Sequence, residues 1–257
     1  MGHWLAGTLL ALAGLWQPVR PGVWKTEMPM ASDGPLSVVR AIAVRLDPAR
    51  LRFDLAGRDE GFSGRWTIDR MPSKAVVAFN AGQFRAAWPW GWLVRNGVEL
   101  QKPGGGSVSM AFVVDSSGRA SLITPNELPG VRGHALLAFQ SYPALLVDGE
   151  EPWEIQGRGR GVDLQHRDSR LALGILEDSS VVVVITRFRG LGPQGESLPW
   201  GPTVGEMAAF MRSLGCQRAM LLDGGISSQL ALRGADGLVS RWANWRGVPL
   251  GLTVTPQ

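Results

Sequence analysis

Apolar and polar positions alternate along most of the chain, and that rhythm predicts strands far more often than helices. Ser37–Leu46 (SVVRAIAVRL) sets Val38, Ala41/Ile42 and Val44 against Arg40 and Arg45, the period of two expected of a half-buried strand. Leu51–Leu55 reads as a second strand, and the apolar run Lys74–Phe79 as a buried one that ends at the turn Asn80-Ala81-Gly82. Trp88–Val94 leads into Arg95-Asn96-Gly97-Val98, and Asn-Gly is a strong hairpin signal. Further strand pairs flank short polar turns: Met110–Asp115 with Ala120–Ile123, Ala135–Phe139 with Ala144–Val147, and Arg170–Leu176 with Val181–Thr186. Asp148-Gly149 closes the second of these pairs as a turn. Ala219–Leu222 is a buried strand broken by Asp223-Gly224-Gly225, and Gly247–Thr255 is a final strand.

Helical periodicity is confined to one place. Thr203 can cap a helix and Glu206, three residues on, completes a capping box. Met207, Phe210, Met211 and Leu214 recur at i, i+3, i+4 and i+7, so one face is buried, and Gly215 ends the helix. The fold class is therefore α+β, a strand-rich mixed sheet with few flanking helices. The amino-terminal end differs. Residues 4–16 form an apolar run of 13, too short to span a bilayer and suited to an export signal or a membrane-dipping anchor. Pro18, Pro21, Gly22, Pro29, Gly34 and Pro35 mark 17–36 as a linker, which leaves 37–257 as the folded domain.

Composition narrows the chemistry. With 45% hydrophobic and 19% charged residues the chain is a globular protein, not a disordered, collagen-like or coiled-coil one. One cysteine, Cys216, excludes an internal disulfide and thiolate clusters. Of 26 basic residues 23 are Arg, but they are scattered and the net charge is only +4, which argues against nucleic acid as a partner. The histidines are His3, His134 and His166, too few for a His-rich metal site.

Four segments carry candidate chemistry. Leu221–Ser228 ends a buried strand in a carboxylate and two glycines, where backbone amides can approach an anion and Ser227 adds a hydroxyl; a plain Asp-Gly turn would look the same. Asn80 at the end of its strand can hold a ligand or make an Asx-turn. Arg170 offers a fork of donors for phosphate or carboxylate, or is a strand-end charge. Phe139–Gly149 holds Ser141, the only tyrosine, Tyr142, and Asp148 in its closing turn.

In chain order, Asn-x-Gly-x-Phe, Ser-x-Pro-x-Leu-x-x-Asp-Gly, Arg-x-Ala-x-Gly, a capped helix and Leu-Asp-Gly-Gly-x-Ser resemble the phosphodiester glycosidase family, over roughly residues 36–256. The resemblance implies an α+β domain, exported to the periplasm or beyond, that cleaves a sugar from a sugar-1-phosphodiester, for instance in envelope or exopolysaccharide glycans. It places the family's Asn and Gly on Asn80 and Gly82, its Arg and following Gly on Arg170 and Gly174, and its Asp-Gly-Gly on Asp223, Gly224 and Gly225, with Ser227 after it. Ser141 and Asp148 fall in the second motif.

A leaving phosphate monoester has a second pKa of about 6 and needs little protonation. Charge stabilisation should then matter more than a general acid, a task suited to Arg170 and the amides near Gly224–Gly225. Asp223 is the first choice for the carboxylate facing the anomeric carbon; Glu206, Asp148, His134 and His166 stay open as its partner, with Glu206 already explained by the capping box. No cofactor is required, although oxygens of Asp223 and Asn80 could hold Ca²⁺ or Mg²⁺. The alternative is a non-catalytic glycan- or anion-binding envelope protein: Ala81, Leu171 and Ile226 depart from the family pattern, and Trp88-Pro89-Trp90-Gly91-Trp92 could stack on sugars. A serine hydrolase is disfavoured because no Gly-x-Ser-x-Gly elbow is present.

Overall fold

The computed structural model describes residues 16–30, 32, 39–57, 65–106, 109–157, 162–190, 195–196, 198 and 200–257. The apolar run 4–16 lies outside these residues except for Trp16, which packs half-buried against the helix-side core. Strands numbered along the chain form three main sheets. The first runs β1 (Gln17–Arg20), β2 (Val23–Met30), β3 (Val39–Leu46), β15 (Val181–Phe188), β14 (Leu171–Leu176), β16 (Cys216–Leu221), β13 (Ala144–Leu146). The second runs β11 (Ala120–Ile123), β10 (Met110–Asp115), β12 (Ala135–Ser141), β8 (Leu93–Arg95), β9 (Val98–Gln101). The third runs β18 (Val239–Trp242), β17 (Leu230–Arg233), β5 (Val77–Asn80), β19 (Gly251–Pro256), β4 (Leu51–Ala56). A separate ribbon pairs β6 (Gln83–Arg85) with β7 (Trp88–Trp90).

The strand-rich α+β class is the one the alternation implies, with antiparallel neighbours throughout the described sheets rather than a mixture of directions. The linker expected over 17–36 is corrected by the β1–β2 hairpin. Its strands extend the first sheet, with Val23 paired to Leu46 and Met30 to Val39. Proline does not prevent this. Pro18 lies on the edge strand β1, and Pro29 in the part of β2 that runs past β1, where no ladder bond to β1 is lost.

Strand pleating divides the interior. In β15, Val181, Val183 and Ile185 enter a central core shared by all three sheets, while Val182 and Val184 face the helix Val204–Ser213. The central core joins Ile42, Leu173 and Met220 of the first sheet to Phe112 and Phe139 of the second and Phe79 and Leu252 of the third. On the helix side the sheet presents small residues, Ala41, Ala43, Ala172 and Ala219, against Met207, Phe210 and Met211. Gly174 belongs to this packing. A Cβ there would lie 2.6 Å from Cys216 Sγ and 2.7 Å from Met211 Cε, so the glycine of the third motif makes room for the helix. Buried Cys216 fills the same layer, its thiol pushed up to about 12 by desolvation. The predicted helix cap is present, with Glu206 N–H donating to Thr203 Oγ1 at 3.2 Å and Thr203 N–H to Glu206 Oε2 at 2.9 Å.

Candidate active site

The four motifs meet through the backbone of one short stretch. Leu221 N–H donates to Pro143 O at 3.0 Å, Leu222 N–H to Leu171 O at 2.8 Å, Asp223 N–H to Gly82 O at 3.1 Å, and Gly225 N–H to Ser169 O at 2.7 Å. The chain leaving β16 is thereby threaded between the ends of β5, β12 and β14. Two buried side chains fix it further. Asn80 Nδ2 donates to Asp223 O at 2.8 Å while its Oδ1 accepts from Gln229 N–H at 2.8 Å, and Ser141 Oγ donates to Leu221 O at 2.6 Å.

Behind this layer lies Arg187, only 1% exposed. Its Nη1 donates to Ser169 Oγ at 2.8 Å and to Ser228 Oγ at 3.0 Å, and its Nη2 donates to Ser228 O at 3.1 Å. Burial draws its pKa down to about 10, so it stays charged at neutral pH. The guanidinium bolts the segment carrying Asp168 and Arg170 to the loop that follows Asp223.

In front lies a pocket of about 260 Å³, at the small end of ligand clefts, lined by Gln83, Tyr142, His166, Asp168, Arg170 and Asp223 among others. Asp223 Oδ2 is buried and without a hydrogen-bond partner. Desolvation pushes the carboxyl up to about 6, opposed by a hydrogen bond from Ser227 and the charge of Arg246, and reinforced by the like charge of Asp168. Asp168 is likewise raised, first by burial, against the pull of Arg170, of the Ser169 N–H and of His166, whose Nε2 lies 3.4 Å from Asp168 Oδ2. Burial lowers the Arg170 pKa, opposed by Asp168 and Asp163. Arg170 is aimed by its own donors, Nε to Pro202 O at 3.1 Å and Nη2 to His166 O.

The two glycines after Asp223 serve this closeness. A Cβ on Gly224 would lie 2.7 Å from Ser169 O, and one on Gly225, whose φ is +56°, 2.6 Å from Asp168 Oδ2. Only a chain without side chains here lets the second carboxylate sit beside the first. The expected anion nest is corrected on this point, since the Gly225 amide donates to Ser169 O and does not face the pocket as a free donor.

Of the residues singled out in the sequence as candidate chemistry, Tyr142, His166, Arg170, Asp223 and Gly224 line the pocket. Asn80, fully buried, and Ser141, also buried, stand one layer behind it, as does Gly82 through its carbonyl. Asn80 acts here as a clamp, with both ends of its buried amide bonded to backbone. Ser227 acts through Asp223, to which it donates. Asp148 is not brought to the pocket; it sits in an exposed turn and accepts from Arg218 Nη2 at 2.9 Å. Glu206 is tied to the helix cap and to Arg167, and His134 lies in the exposed turn that follows the helical turn Leu128–Val131. Asp168 was not foreseen. The signal was present, because His166, Asp168 and Arg170 are spaced by two before a strand and so share a face.

Among the described residues no group of three His, Cys, Asp or Glu side chains is placed to hold a metal, and no helix is long and apolar enough to cross a membrane. A larger hollow of about 510 Å³ lies over β4, β10 and β12, but its carboxylates are tied, Asp54 to Arg95 and Asp115 to its own turn. The unpartnered carboxylate oxygen of Asp223 lies in the smaller one.

Fold and site together define an α+β protein with an acid–base pocket at the ends of its strands. The family model for phosphodiester glycosidases matches residues 73–255, and the chain belongs to that family. Its structure is similar to the zebrafish N-acetylglucosamine-1-phosphodiester alpha-N-acetylglucosaminidase catalytic domain auto-inhibited by its pro-peptide, at 15% identity and TM-score 0.70, covering 94% of this chain and 86% of that one. A hypothetical protein from Synechocystis (15% identity, TM-score 0.62, 94% and 64%) and a candidate exported protein from Burkholderia pseudomallei (14%, 0.57, 85% and 74%) share the fold. No curated protein matches the chain.

Proposed function

We propose that the protein is an exported hydrolase that cleaves a sugar from a sugar-1-phosphodiester, acting on envelope or exopolysaccharide glycans. The observation that carries this reading is the Asp223 carboxylate, with one buried unpartnered oxygen, in a pocket shared with Arg170 and a second carboxylate, Asp168. In the reaction the C1–O bond breaks, and the phosphate leaves with the bonding electrons while a water oxygen ends on C1. Arg170 neutralises the departing phosphate, whose low second pKa of about 6 removes the need for a strong general acid. Ionised Asp223 faces the positive charge that builds at the anomeric carbon, and Asp168, backed by His166, takes the proton of the incoming water. Family membership and the fold of the zebrafish neighbour support the bond class.

The test is turnover of a hexose-1-phospho-hexose diester by the purified protein, followed by release of free reducing sugar. Activity in wild type that vanishes in Asp223→Asn supports the assignment. Equal rates in wild type, Asp223→Asn and Arg170→Ala would overturn it.

A further inference from the structure

The ribbon β6–β7 projects from the end of β5 beside the pocket, and its two faces are unlike. Antiparallel partners share a face, so Gln83, Trp90, Arg85 and Trp88 lie on one side and Phe84 and Pro89 on the other. The Phe84 side is anchored: Phe84 packs on the cluster around Trp66 with Arg246 4.9 Å over its ring, and Pro89 is buried. The opposite side is continuous with the pocket. Gln83 lines the pocket and its Nε2 donates to Tyr142 O at 3.3 Å. Tyr142, a second lining residue, meets Trp90 edge to face at 5.2 Å, and Arg85 lies 4.5 Å over the Trp90 ring. Trp88, directly across from Arg85, is 56% exposed.

Trp88 thus presents an exposed aromatic face on the side of the ribbon that carries the pocket residue Gln83, and a sugar ring has apolar C–H faces of matching size. The adjoining guanidinium matches an anionic substituent, and a phosphodiester glycan offers one at each repeat. We propose that the Arg85/Trp88/Trp90 face is a binding subsite for the glycan beyond the scissile phosphodiester, with a sugar ring on Trp88 and an anionic group on Arg85. The proposal rests on the reading of the pocket as the place where the phosphodiester is held.

The probe is a set of hexose methylene-phosphonates, uncleavable at C1, ending at the phosphonate or extended past it by one or three sugars. Calorimetric titration of the intact protein should show extension tightening binding by about tenfold, the scale of covering one aromatic face. Trp88→Ala should abolish that gain and Arg85→Ala reduce it for anionic extensions, with the unextended analogue bound equally by all three proteins. No gain in wild type, a gain that survives Trp88→Ala, or no binding of any analogue overturns the proposal. Binding with this pattern but no turnover of the natural diester would instead overturn only the catalytic assignment.

Discussion

Two arginine–dicarboxylate groups lie at different places on this scaffold, and they behave in opposite ways. At the rim of β13 and β16, Arg218 Nη1 donates to Glu127 at 2.7 Å and Nη2 to Asp148 at 2.9 Å, and Glu127 falls to about 2, chiefly through the hydrogen bond from Arg218. In the pocket, Arg170 gives its Nε and Nη2 hydrogens to backbone carbonyls, and Asp223 rises to about 6 through burial. The same residue types thus make a satisfied surface clasp in one place and leave a buried carboxylate oxygen without a partner in the other. What differs is where the guanidinium hydrogens go and how much water reaches the acids.

Substitutions can sharpen or break that contrast. The largest effect should come from Asp223→Asn, which lowers kcat for phosphodiester cleavage by about a thousandfold. Arg170→Ala should cost about a hundredfold, with Lys restoring only part, because a single ammonium cannot reproduce the fork. If Arg218→Ala lowered turnover as much, the contrast would be false. Next comes pH. Because Asp223 must be ionised, kcat should rise as pH increases through about 6, and the rise should vanish in Asp223→Asn.

Stability gives smaller effects of opposite sign at the two sites. The folded pKa of Asp223 lies above its ordinary value of 3.8, so its ionisation opposes folding, and the penalty is relieved as pH falls through about 6 toward 4. Asp223→Asn should therefore melt higher than wild type at pH 8, by on the order of 1–2 kcal/mol, and equally near pH 4. Glu127 is depressed, so its contribution is present above pH 4.5 and is lost as pH falls toward about 2. Glu127→Gln should cost less than about 1 kcal/mol at pH 7, since the pair is solvent-exposed, and nothing below pH 2. Thermal melts across that range check both.

Much of the frame was legible because it is written locally. Asn96 and Gly97 both take positive φ in the β8–β9 turn, the geometry that Asn-Gly favours, and Thr203 with Glu206 caps the helix as spaced. The β1–β2 hairpin was not legible, because prolines tolerated at sheet edges look like linker residues. The site was half legible. Asp223 and Arg170 are marked by strand-end motifs, and the spacing of two puts Asp168 on the face of Arg170, but its place beside Asp223 comes from a close approach to Gly225, a contact between segments 57 positions apart that no local pattern encodes. Asn80 illustrates the reverse case. Its type suits a ligand holder, and only the burial of both its amide ends shows it to be a strut.

That strut has a kinetic consequence. With one side-chain amide joining Asp223 O to the Gln229 N–H, the mouth of the hollow cannot loosen without parting β5 from the turn that feeds β17. The Gln229 amide proton should then trade with deuterium on the slow timescale of the sheet interior rather than that of a loop, so a sugar enters a rigid mould and forfeits little disorder on arrival.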